Sequence, residues 1–216
     1  TQGTRALAYA FRRSERLNPP MVQFGFRKII LGSGSPRRKF LLESMGLKVE
    51  VIRSDVQEVY PQNLGHYHIS DFLALQKADS LKDYVKQGTL LITADTIVWH
   101  NSEVMEKPTE AKEAFNTLKA LSGAEHEVIT SVCFTTTGQQ VVKHSITRVK
   151  FAPLTEQMIQ HYIDSGQAMD KAGAYGIQDW IGLVGVEGIA GSYTNVVGLP
   201  TELVYKTLID LTQSKI

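Results

Sequence analysis

The chain has 216 residues, is 43% apolar and carries a formal net charge of +1. That length supports one large buried core or two small ones, and the near-balanced charge gives no electrostatic basis for nucleic acid or an anionic membrane as the principal partner. A single cysteine, Cys133 in the apolar run Val132-Cys133-Phe134, excludes an internal disulfide framework, and no apolar run approaches the roughly 20 residues that span a bilayer.

Residues 1–24 differ from the rest. They lack a core-forming period, contain Asn18-Pro19-Pro20, and show no h-region of a signal peptide. They are expected to be an N-terminal extension preceding a single domain, 25–216, with Met21 a candidate start. A reducing, cytoplasmic setting fits these features.

From Arg27 the pattern alternates. Ile29-Ile30-Leu31 reads as a strand covered on both faces, Gly32-Ser33-Gly34 as a turn, and Ser35-Pro36 as the cap and first turn of a helix over about 36–45. Val49 to Ile52 form a second strand. Residues 70–87 carry apolar side chains at helical spacing, and Leu90 to Trp99 form a strongly apolar strand. A helix follows from Pro108 to about Leu121. Val128–Phe134 and Gln140–Phe151 pair as an antiparallel hairpin through Thr137-Gly138, and helices follow at about 154–163 and 201–212. The Gly-rich stretch 165–195 has only short apolar pieces. The fold class is α/β with a mixed, partly antiparallel sheet and flanking helices.

The turn at 32–38 is the strongest chemical signal. Free N–H groups and the dipole at a helix start favour an anion, and Arg37 and Arg38 add two guanidinium groups. It is neither a Walker A loop nor a Rossmann fingerprint, because no Lys follows and Arg37 stands where the third Gly would fall. An ordinary strand-to-helix connection with solvated arginines is the alternative. Asp95 is a carboxylate amid strand formers, costly to bury unpaired, and is expected at a bulge or strand end facing a cleft. It suits a general base, a metal ligand, or a hydrogen-bonded structural role. Lys77 reads as partly covered or snorkelling, and Lys107 before Pro108 reads by itself as solvated surface, although it could reach a phosphate on the Asp95 side. Asp55 and Glu58, three apart, could share a divalent cation with phosphates. His66 and His68 lack a third ligand. Gln178, after Ala172-Gly173-Ala174-Tyr175-Gly176-Ile177, offers both a donor and an acceptor to a base.

Together these segments resemble a family. Ser33-Gly34-Ser35-Pro36-Arg37-Arg38, Ala94-Asp95-Thr96, Lys107-Pro108, Leu121-Ser122-Gly123 with His126, Ala174-Tyr175-Gly176-Ile177-Gln178 and Gly191 to Pro200 are similar to the motifs of Maf nucleoside triphosphate pyrophosphatases, in that family's order, across about residues 27–212. The resemblance implies an inosine-triphosphate-pyrophosphatase-like fold with two lobes around a cleft. It implies hydrolysis of a nucleoside triphosphate to the monophosphate and pyrophosphate with a divalent cation, Mg2+ or Mn2+. It makes Asp95 the proton acceptor and, with Glu58, a metal-side carboxylate. Ser33, Arg37, Arg38, Lys77, Thr96, Lys107 and Gln178 become substrate contacts, with Arg37, Thr96 and Gln178 setting base preference.

The Gln-containing motif is similar to the dTTP/UTP branch. A pyrophosphatase for 7-methyl-GTP or another modified nucleotide, and a non-catalytic nucleotide-binding regulator of cell division, are the alternatives. A homodimer stays open. Two departures stand out: Glu106 replaces the usual Gly before Lys-Pro, and Asp179-Trp180 replace the usual Gly after Gln178. The first is expected to shift Lys107 and the second to narrow a base pocket.

Overall fold

The structure is a computed structural model that describes residues 24–213. The expected extension falls, up to residue 23, outside the described residues. Phe24 is already packed: its ring meets Tyr205 edge-on at 5.5 Å, and its carbonyl accepts from Thr212 Oγ1 at 3.0 Å.

The strands are β1 (Lys28–Leu31), β2 (Glu50–Val51), β3 (Thr89–His100), β4 (Glu103–Met105), β5 (Glu125–Thr135), β6 (Gln140–Phe151) and β7 (Val186–Ala190). They form one sheet in the order β2-β1-β3-β5-β6-β7, with β4 also on β3. β1 is parallel to β2 and β3, and the other pairs are antiparallel. The helices are α1 (Pro36–Ser44), α2 (Tyr67–Ser80), α3 (Ala111–Leu121), α4 (Glu156–Asp164), α5 (Trp180–Gly185), α6 (Tyr193–Val197) and α7 (Thr201–Gln213). The expected mixed sheet is present. α2 begins and ends earlier than the apolar spacing predicts, because a 3-10 turn, Lys82–Tyr84, replaces its final turn. β4, α5, β7 and α6 are additions. β4 follows a turn in which Asn101 and Ser102 adopt φ of 50° and 64°, as a tight hairpin requires.

β3 and β5 run through the whole sheet, and alternation along them divides the core. On one face lie Leu91 and Cys133 under α2, then Ile97 and Ile129. On the other, Leu90, Ile92 and Ala94 pack with α1 and α7. Val98 and Val128, further along that face, pack with α3, α4 and α5. The two apolar groups on this second face are separated by Thr96 and Thr130, whose hydroxyls lie 2.9 Å apart. That polar interruption is the floor of the cleft.

The partners of β3 explain where the cleft opens. β1 covers one edge of β3 only as far as Ile92, where Gly32 N donates to the Ile92 carbonyl at 2.8 Å. β4 takes over at Val98. Between them, Thr93 to Ile97 have a strand neighbour only on the β5 side. Asp95 is therefore in mid-strand rather than at a bulge or strand end. What it needed was a missing neighbour on one side, and the divergence of β1 supplies that.

Candidate active site

A cleft of about 340 Å³ opens at this gap. Its near wall is the turn from Gly32 to Arg38. Gly32 is required by close approach, since a Cβ there would lie 2.5 Å from Thr93 Cγ2. Ser33 Oγ accepts from Ser35 N at 3.2 Å, and Ser35 Oγ caps α1 by accepting from Arg38 N at 3.5 Å. Pro36 occupies the first helical turn as expected.

Asp95 and Thr96 leave opposite faces of β3 and both line the cleft. Asp95 Oδ1 accepts from Lys77 Nζ at 2.6 Å, and Lys77 also meets Glu58 Oε1 at 2.7 Å. Lys107 approaches Glu58 Oε2 at 3.2 Å. Positive and negative charges thus alternate as Lys107, Glu58, Lys77, Asp95. Partial burial pushes the Glu58 carboxyl upward, but Lys77 and then Lys107 overcome it and hold the pKa at about 2. Glu106 does not displace Lys107 from the cleft; it accepts instead from Tyr60 Oη at 3.1 Å.

Arg38 is half-buried between the turn and β3. Its Nη1 donates to Ser33 Oγ at 3.1 Å, Nη2 to Thr96 Oγ1 at 3.0 Å and Nε to the Gly198 carbonyl at 3.0 Å. Burial pulls its pKa below the usual guanidinium value, with Asp95 opposing. Much of its donor fork is therefore spent on tying α1 to β3 and α6. Arg37 crosses the mouth of the cleft, and its Nη1 donates to Asp170 Oδ2 at 3.0 Å.

The far wall holds Gln178. Its Nε2 donates to Asp179 Oδ1 at 3.3 Å, while its Oε1 is buried without a partner. Asp179 Oδ2 accepts from Tyr162 Oη at 2.7 Å and meets Lys171 Nζ at 3.3 Å. Lys171 in turn meets Asp170 Oδ1 at 2.6 Å.

The structure brings every expected site residue, Ser33, Arg37, Arg38, Glu58, Lys77, Asp95, Thr96, Lys107 and Gln178, to one cleft. It leaves Asp55 out. The stretch before α2 is irregular, so a spacing of three does not put two carboxylates on one face, and Asp55 is exposed outside the cleft lining. His126 is also outside the lining; it is packed beneath the cleft, with Nε2 2.7 Å from Tyr175 Oη. Asp170, Lys171 and Tyr162 are additions. Their signal in the sequence was weak: an Asp-Lys pair inside a Gly-rich stretch, and a Tyr that reads as helix core.

The donor set suits a divalent cation. Glu58 and Asp95 flank one point, taken by Lys77 Nζ, and both are hard oxygen donors. Among the described residues no group of three His, Cys, Asp or Glu side chains could hold a metal alone. With Lys77 Nζ between them, Glu58 and Asp95 could reach such an ion only through lone pairs turned from the ammonium, and the ion would take its remaining oxygens from phosphate and water, as Mg2+ commonly does.

The chain is similar over most of its length to proteins that carry names. A Flavobacterium johnsoniae protein named dTTP/UTP pyrophosphatase is 46% identical over 184 residues, 85% of this chain and 95% of the relative. A Bacteroides fragilis protein of the same name is 47% identical over 185 residues, 85% of this chain and 96% of its own. A solved Mycobacterium abscessus structure, titled nucleoside-triphosphatase / dITP/XTP pyrophosphatase, is 18% identical and matches with a TM-score of 0.39 over 59% of this chain and 74% of its own. At that score the structural likeness carries no argument. The Maf-like protein family model matches residues 28–211, and the chain belongs to that family.

Proposed function

We propose that the protein hydrolyses nucleoside triphosphates, with dTTP and UTP as its substrates, to the nucleoside monophosphate and pyrophosphate. The observation that carries this reading is Asp95, a carboxylate in the stretch of β3 that is paired on one side only, facing a cleft ringed by Arg37, Arg38, Lys77 and Lys107. A triphosphate is a polyanion, so its hydrolysis needs positioned positive charge and an aligned water more than covalent chemistry. The name shared by relatives of about 46% identity supports the choice of bases.

In this reading the N-terminus of α1, with Arg37, Arg38 and Lys107, receives the phosphate chain. Lys77 holds Asp95 by one oxygen. Asp95 orients a water and accepts its proton as the water oxygen bonds to the α-phosphorus. The bond from that phosphorus to the bridging oxygen breaks, and pyrophosphate leaves into the ring of cations. A divalent cation held by Glu58 and Asp95 would add charge neutralisation at the phosphate oxygens.

The test is pyrophosphate release from dTTP, UTP, CTP, 7-methyl-GTP and ITP, with Mg2+ or Mn2+, for the wild type and Asp95→Asn. Release from dTTP and UTP, reduced at least about a hundredfold in the variant, is expected. Preferential release from 7-methyl-GTP or ITP overturns the choice of base. Tight nucleotide binding without turnover replaces the enzyme by a binding regulator.

A further inference from the structure

The far wall carries a feature that bears on how a base is told apart from its neighbours. A carboxylate only accepts hydrogen bonds, so Asp179 dictates which end of the Gln178 amide turns toward it. The NH2 group must face Asp179, and Nε2 lies 3.3 Å from Oδ1. Gln178 Oε1 is then left on the other side, without a donor from the protein and occluded just beneath the wall, on a residue that lines the cleft, so a ligand N–H reaches it by settling into that wall. A buried carbonyl with no partner is costly, and a ligand N–H relieves that cost.

Asp179 is itself held firmly. Tyr162 Oη donates to its Oδ2 at 2.7 Å, and Lys171 lies 3.3 Å from the same oxygen. Gly176 supports the arrangement from below. A Cβ there would collide with Asp179 Oδ2 and would lie 2.6 Å from Gln178 Nε2, so the glycine is what allows the two side chains to lie against the backbone. The Gly176 N–H donates to Tyr162 Oη at 3.1 Å, which turns the tyrosine hydroxyl toward Asp179. Burial raises the Tyr162 pKa above the phenolic value, with Asp179 adding to it, so the hydroxyl stays a donor at neutral pH.

We infer that Asp179 is a positioning residue that locks the Gln178 amide with its carbonyl toward the ligand, making the wall an acceptor that selects a base edge bearing an N–H donor. Uracil and thymine present N3–H. Cytosine presents an unprotonated N3 there, with its N4–H2 donor displaced to the side, so at the N3 position it would set acceptor against acceptor. Asp179 thus narrows Gln178 from an ambivalent group to a one-way reader. The inference rests on the proposed function for the location of the base, but it concerns binding and can be tested without turnover.

The experiment is calorimetric titration of the wild type and Asp179→Asn with UMP, CMP and 3-methyl-UMP, together with pyrophosphate release from UTP and CTP. In the variant, Tyr162 and Lys171 hold the carbonyl of the introduced side-chain amide, so its NH2 would face Gln178 and draw Oε1 away from the ligand. The wild type is expected to bind UMP at least about tenfold more tightly than CMP or 3-methyl-UMP, one lost hydrogen bond being of that order. In Asp179→Asn the UMP-to-CMP preference falls at least about tenfold, and in turnover the change appears in KM more than in kcat. A variant that weakens both nucleotides equally, with its preference intact, overturns the inference and leaves Asp179 a packing residue. Equal wild-type affinity for UMP and 3-methyl-UMP overturns it without any mutant, which covers the case in which Asp179→Asn does not fold. Wild-type preference for UMP with no pyrophosphate release from any nucleotide overturns the proposed reaction and supports the orientation of Gln178.

Discussion

Lys77 is only 8% exposed, yet it is held between Asp95 and Glu58, so the loss of hydration is offset by two charge-assisted contacts. His126, 2% exposed, solves a similar problem by staying neutral. Burial, with His100 adding like charge, lowers its pKa from 6.5 to about 4. A histidine with a depressed folded pKa makes the unfolded chain the better proton binder between those two values. Stability is then expected to be full above pH 6.5 and to fall as pH drops toward 4, by on the order of 3 kcal/mol. His126→Gln keeps an amide that can reach Tyr175 but cannot take up that proton. Denaturant titrations at about pH 7 and about pH 4 should show the variant losing less stability than the wild type over this interval. Equal losses would mean that His126 already carries charge in the folded protein.

At the scale of elements, the strand–turn–helix unit β1–α1 is what local chemistry specifies best. Ser35 Oγ accepts from Arg38 N and the Ser35 carbonyl accepts from Lys39 N, while Pro36 has no N–H, so Arg37 N is the first-turn donor left for a ligand beside the cleft. Ser35→Ala should cost about 1 kcal/mol of stability, read from denaturant midpoints. Ser35→Asp restores the cap, but it sets a negative charge where the phosphate chain would lie, so stability recovers while KM for UTP rises. A recovered KM in Ser35→Asp would place the phosphates elsewhere. This unit was legible because Gly, Ser and Pro each have a local backbone reason to be there. β3, the hairpin β5–β6 and α7 were legible from their periods. α5, β7 and α6 were not, since pieces of five or six residues among glycines carry no readable period. The placement of Asp95 in mid-strand depends on where β1 ends against β3, a pairing that neither strand encodes alone. The same limit hid Asp179: an acidic residue beside Gln178 reads as a narrowed pocket until Tyr162 and Lys171 arrive from elsewhere in the chain to hold it.

Across the whole molecule, the two apolar groups on the cleft face are linked at its mouth by Arg37 and Asp170, which come from the opposite walls. Their side chains are 30% and 66% exposed, so the pair contributes little to folding, under about 1 kcal/mol. Its consequence lies in binding. Asp170 partly neutralises Arg37 through Nη1, so Arg37 meets a triphosphate at reduced charge, and Asp170 adds a negative charge at the entrance that a polyanion must pass. Asp170→Asn removes both obstacles while keeping the shape of the side chain. Its melting temperature should stay within about 2 °C of the wild type, and its KM for UTP should fall several-fold at low ionic strength. Because the entrance charge is exposed, the advantage should shrink as salt is raised to about 0.5 M. A higher KM in Asp170→Asn would reverse the argument, because it would mean that the carboxylate holds Arg37 in the position from which it meets the phosphates.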